Sequence, residues 1–113
     1  MREYTWRFKT MAEVNFFEVW GKESPETMKA FFDYAGAIQN HGGVDEKTFQ
    51  LIYIALQASR GAIGSVAAHT QFAKKAGATR DEVKGAILTT LMSVGINGVA
   101  DCLTVALDSY DKG

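Results

Sequence analysis

One histidine in this chain has chemical company at helical spacing. His69 follows Ser65 by four residues and Ala62 by seven, so the three share one helix face, which Phe72, Ala73 and Ala76 continue. A serine one turn from a histidine has the composition of a nucleophile–base pair, but no third group to orient the ring is evident beside it. The plainer reading of His69 is a satisfied core residue; the chemical reading is a proton donor and acceptor working near neutral pH. Arg60-Gly61 immediately precedes this helix, whose free amides and positive dipole end favour anions. Arg60 either completes a carboxylate-binding corner there or only satisfies the last carbonyls of the helix before it. The other histidine, His41, lies in the turn that Gly42 and Gly43 close and reads as an exposed loop residue. No second histidine or acid falls three or four residues from His69, so no metal and no cofactor are expected.

The chain's single cysteine, Cys102, can form neither an internal disulfide nor a dithiol redox pair. Its plain reading is a small buried hydrophobe. A free thiol, together with a charged and aromatic start (Met1 to Arg7) that lacks a signal peptide's apolar stretch, predicts a reducing cytoplasm. Lys+Arg total 12 and Asp+Glu 13, a net charge of −1, which argues against nucleic acid or an anionic membrane as the main partner. No apolar run is long enough to span a bilayer.

These residues must be carried by helices. With 113 residues, 47% apolar, and one proline, the chain reads as a single domain over 1–113, an aromatic arm and helix (1–23) followed by a core (24–113). Ser24-Pro25-Glu26 opens a helix whose stripe is Met28, Phe31, Phe32, Ala35 and Ile38, and Asn40-His41-Gly42-Gly43 ends it. Asp45 caps a second helix, Glu46 to Ser59, apolar nearly all round, which suits the middle of a bundle or a subunit interface. A third runs from Ala62 to Ala76. Thr79-Arg80-Asp81-Glu82 is a capping box opening a fourth, which Val83, Ala86, Ile87, Thr90, Leu91 and Val94 carry to Gly95. The fifth covers Val99 to Tyr110. In the first twenty residues Tyr4, Trp6 and Phe8 alternate like a strand, whereas Met11, Val14, Phe17 and Trp20 are spaced like a helix. The reading is a short extended arm, then a helix, with the aromatics covered by their own bundle or by a neighbouring subunit.

The stretch Leu51 to Ile96, with its His69, the Gly77-Ala78-Thr79-Arg80-Asp81-Glu82-Val83 turn and the later Val94-Gly95-Ile96, resembles the carboxymuconolactone decarboxylase/AhpD-like superfamily. The resemblance covers roughly Ser24 to Leu107 and implies an all-α AhpD-like bundle of five to six helices, assembled as a homo-oligomer (dimer-based, trimer or hexamer). The AhpD-like branch is a thiol peroxidase with a Cys-x-x-Cys-x-x-x-His motif and a glutamate one helix earlier. Carried onto this chain, the cysteines fall on Ala62 and Ser65, the histidine on His69, and the glutamate near Gln50. Without the paired thiols that turn peroxide over, that activity is not expected. The decarboxylase branch keeps a histidine at the position of His69. There a cation must hold the substrate's carboxylate and a proton donor must quench the carbanion left by carbon dioxide, roles open to Arg60 and His69. Ser65 stands where that branch tends to carry an acid, and Asn97 where it often has proline.

The leading expectation is non-thiol, decarboxylase-like proton-transfer chemistry on a small carboxylated or carbonyl compound, or binding of one. The alternatives are an AhpD-like antioxidant protein with a degenerate site, in which Cys102 takes part, and a non-catalytic binding or scaffold protein on the same fold.

Overall fold

A computed structural model of the chain describes residues 16–113, and among these every regular element is helical. The expected extended arm at Tyr4, Trp6 and Phe8, with Met11 and Val14, lies outside the described residues. The chain divides at Gly42 into two compact units.

The first unit holds α1 (Phe16–Glu23) and α2 (Pro25–His41). Ser24 is the only residue between them, at φ −154° and ψ 74°, and Pro25 then fixes the first turn of α2. The Ser24 side chain does not cap a backbone amide; it accepts the Thr27 hydroxyl at 2.7 Å, and that threonine accepts the Trp20 indole N–H at 2.8 Å. Aromatic rings join the two helices, with Phe17 against Phe32 and Trp20 against Phe31, both at 5.3 Å between centroids. Neither helix contains a buried residue.

The second unit holds α3 (Glu46–Ser59), α4 (Ile63–Lys75), α5 (Arg80–Thr89), the single turn α6 (Leu91–Val94) and α7 (Asn97–Lys112). The starts follow the local chemistry. Asp45 accepts the Thr48 amide at 2.7 Å, and the Thr79–Glu82 capping box closes in both directions at 3.0 and 2.9 Å. Gly61 (φ +70°) and Gly77 (φ +98°) adopt the left-handed backbone that ends α3 and α4. The core is Ile54 and Ala58 of α3, Val66 and Ala73 of α4, Val83 and Ile87 of α5, and Cys102 and Ala106 of α7, all fully buried. Only one face of α3 is covered: Ile52 and Leu56 remain 48% and 57% exposed, although the sequence reads as apolar nearly all round.

One expected helix is two. The stretch predicted to run unbroken to Gly95 stops at Thr89, because the Thr90 amide and hydroxyl both turn back to the Ile87 carbonyl, at 3.1 and 2.6 Å. This kink lets α7 start two residues earlier than its apolar stripe suggests. It also brings buried Gly98 so near Thr90 and the Ala58 carbonyl that no side chain fits there. At the other end of α7, Tyr110 donates to the Ala78 carbonyl at 2.7 Å, Ser109 to the Ala67 carbonyl at 2.7 Å, and Arg80 grips Asp111 with two bonds. These bonds tie α7 to α4 and to the turn before α5, which holds α4 firmly in place against its neighbours. None of the described helices is long and apolar enough to cross a membrane.

Candidate functional site

The packing of α3 on α4 brings His69 to Gln50. The imidazole Nδ1 and the Gln50 carbonyl oxygen Oε1 are 2.8 Å apart, and Gln50 is only 2% exposed. The other end of the same amide, Nε2, donates to Glu46 Oε2 at 2.9 Å, one turn back along α3. An ionised carboxylate can only accept, so Gln50 must present its NH₂ to Glu46 and its carbonyl to His69. A carbonyl can only accept in turn, so Nδ1 carries the proton and donates. The neutral ring therefore keeps its lone pair on Nε2.

Aromatic rings wall the imidazole. Tyr53 lies 4.2 Å from it at a tilt, with Phe49 stacked behind Tyr53 at 6.1 Å, and Phe72 meets it edge-on at 5.1 Å. Burial among these rings holds the His69 pKa below its usual value, against the smaller upward pull of the Glu46 carboxylate. His69 is thus a neutral, half-buried base with its Nε2 unspent among the described residues.

A second amide contact lies seven residues further along α3. Gln57 Nε2 donates to Ser65 Oγ at 2.8 Å, and Gln57 Oε1 accepts from the Arg60 guanidinium at 3.3 Å. Arg60 itself is exposed and caps the end of α3, its backbone amide donating to the Gln57 carbonyl at 3.2 Å. Both readings of Arg60 bear on this geometry: the side chain engages its own helix, yet no carboxylate pairs with it among the described residues. Ala62 is the first residue before α4 and offers no side-chain cap. Ser65 and His69 share a face but are not hydrogen-bonded to each other, so they are not a nucleophile–base pair. His41 closes α2, in the first unit, and is exposed.

A model of the carboxymuconolactone decarboxylase family matches residues 25–108, about three quarters of the chain. The chain belongs to that family. Comparison with curated proteins and with solved structures found no match. As the resemblance to the carboxymuconolactone decarboxylase family implied, every regular element among the described residues is a helix. Its one thiol, Cys102, is fully buried on α7, with its pKa pushed up first by burial and then by the Asp101 charge.

Sequence reasoning assigned Glu46, Gln57 and Tyr53 no part in the site, while Phe72 stood on the His69 face without a stated role. Glu46, Gln50 and Gln57 stand at i, i+4 and i+11 on α3, a polar line through an otherwise apolar helix. That interruption was the available signal.

Proposed function

We propose that this family member carries out non-thiol proton transfer on a small carboxylated or carbonyl compound, with His69 Nε2 as the reacting group. The observation that carries the reading is the Glu46–Gln50–His69 chain. It fixes the ring's tautomer and orientation, as an orienting carboxylate does in a proton-transferring histidine, but through an intervening amide. An amide passes orientation and not protons, so the proton that Nε2 takes is not relayed to Glu46; it is exchanged with water or returned to substrate. In such a step a C–H bond beside a carbonyl breaks as the Nε2–H bond forms, and the electron pair moves onto the carbonyl oxygen. In a decarboxylation the ring, neutral at rest, takes a proton from water and supplies it to the carbon that carbon dioxide leaves. Arg60, with one guanidinium N–H on Gln57 and no carboxylate partner among the described residues, would hold the substrate's carboxylate.

Thiol peroxidase chemistry has no support in this geometry, since Cys102 is buried on a different helix from His69 and its thiol is disfavoured as thiolate. The proposal also keeps self-association. α1 and α2 bury nothing and expose Phe16, Phe31, Phe32 and Ile38, and a second copy of the chain would cover them. A sedimentation mass equal to the 12.4 kDa of one chain overturns that part.

The chemistry is tested by deuterium uptake from heavy water into small oxo acids (pyruvate, 2-oxobutanoate, levulinate), followed by proton NMR. The wild-type protein is expected to speed the uptake into at least one of them, and His69→Ala to abolish it. No acceleration by the wild type, or undiminished acceleration by His69→Ala, rejects the proposal and leaves a binding or scaffold role.

A further inference from the structure

The two glutamines of α3 are turned in opposite senses. Gln50 is anchored through its NH₂ by Glu46 and shows its carbonyl to α4; Gln57 is anchored through its carbonyl by Arg60 and shows its NH₂ to α4. Each anchor allows only one orientation, because an ionised carboxylate only accepts and a guanidinium only donates. The consequence for α4 is a pair of opposite polarities. At His69 the carbonyl of Gln50 takes up the ring N–H and leaves a lone pair. At Ser65 the amide of Gln57 takes up a lone pair and leaves the O–H.

That O–H is unspent. Thr70 and Thr89 donate back to the carbonyls four residues earlier, at 2.8 and 2.7 Å, the ordinary fate of a helical hydroxyl. Ser65 makes no such bond, and no carbonyl or carboxylate among the described residues takes its proton. An unspent donor (Ser65 Oγ–H) and an unspent acceptor (His69 Nε2) thus stand one helical turn apart on one face, about 6 Å along the axis.

We infer that Ser65 is a specificity-determining residue that donates a hydrogen bond to the carbonyl oxygen of an enolisable ketone, and that Gln57 is the positioning residue that fixes Ser65 as the donor. The ligand class follows from the polarity. An oxygen that accepts, next to a carbon whose hydrogen can be drawn off, is what a ketone with an α C–H offers, and a hydroxyl donor at the oxygen favours the enolate as its charge develops. This assignment rests on the proton-transfer reading of His69, but its binding part can be read without any turnover.

The experiment compares the affinities of levulinate and pentanoate, two carboxylates of equal chain length that differ in the ketone, by calorimetry on the full chain. The wild type is expected to prefer levulinate about fivefold, the worth of one neutral hydrogen bond. Ser65→Ala should lose the preference and Ser65→Thr should keep it. Gln57→Glu, nearly isosteric, presents a carboxylate that takes the Ser65 proton and pairs with Arg60, so it should lose the preference while weakening both carboxylates alike. No preference in the wild type, or a preference that survives Ser65→Ala, overturns the assignment of Ser65. A preference that survives Gln57→Glu overturns that of Gln57. Ketone preference without deuterium uptake would sink the proton-transfer reading alone.

Discussion

Gln50 Oε1 lies 2.8 Å from His69 Nδ1, across the packed pair α3–α4, and it is the buried partner of the two. The amide is held at both ends, so the imidazole receives one orientation and one tautomer from a residue that cannot itself exchange a proton.

Removing that acceptor should change the ring and little else. In Gln50→Leu the Nδ1–H has no partner, and the ring should move toward the Nε2–H form that free imidazole favours. Nitrogen-15 NMR of labelled histidine reads this directly: Nδ1 should look protonated in the wild type, and the pattern should shift in the variant. The stability cost should be about 1–3 kcal/mol, since the exchange loses the bonds to His69 and to Glu46 but keeps roughly the side-chain volume. An unchanged tautomer in Gln50→Leu contradicts the assignment.

The lowered pKa of His69 has a signed consequence for stability. Burial disfavours the charged ring, so the unfolded chain takes up this proton at a higher pH than the folded one. Unfolding free energy therefore falls as pH drops below the ordinary value of 6.5, and this contribution stops falling once the folded ring is protonated as well. Urea denaturation from pH 8 to pH 5 should show the wild type losing more stability than His69→Gln. The reverse order would mean that Glu46, the opposing influence, outweighs burial.

Cys102 should behave as a core residue. Its thiol is fully buried and its pKa raised, so a thiol-specific reagent should modify it slowly in the folded protein and rapidly in denaturant. Fast modification under native conditions would reopen a role for this thiol.

The two faces of α3 should differ sharply in their tolerance. Ile54 is fully buried and Ile52 is 48% exposed, two residues apart on one helix. Ile54→Ala should cost about 2–5 kcal/mol in unfolding experiments, and Ile52→Ala about 1 kcal/mol or less in the isolated chain. A large loss at Ile52 would show that its face is covered in solution.

What could be read from the sequence and what could not divide along a physical line. Helix starts were legible at Asp45 and Thr79 because a cap is a local bond between residues three apart. The glycine ends at Gly61 and Gly77 were legible because the left-handed backbone is a property of one residue. His69 stood out by type and spacing. The break at Thr90 was hidden, since the stripe from Val83 to Val94 is continuous and only the close approach of Gly98 selects the kinked form.

The sequence by itself determined that α3 and α4 form, that Ser65 and His69 share a face, and that the paired thiols are missing from Ala62 and Ser65. Only the tertiary structure decided which groups those two side chains meet. Gln50 is 19 residues from His69, and Gln57 is 8 from Ser65 across a turn. Whether their amides arrive carbonyl-first or NH₂-first depends on Glu46 and Arg60 anchoring the far ends. Periodicity says which face a residue occupies; hydrogen-bond polarity belongs to pairs, and pairs exist only once the helices have packed.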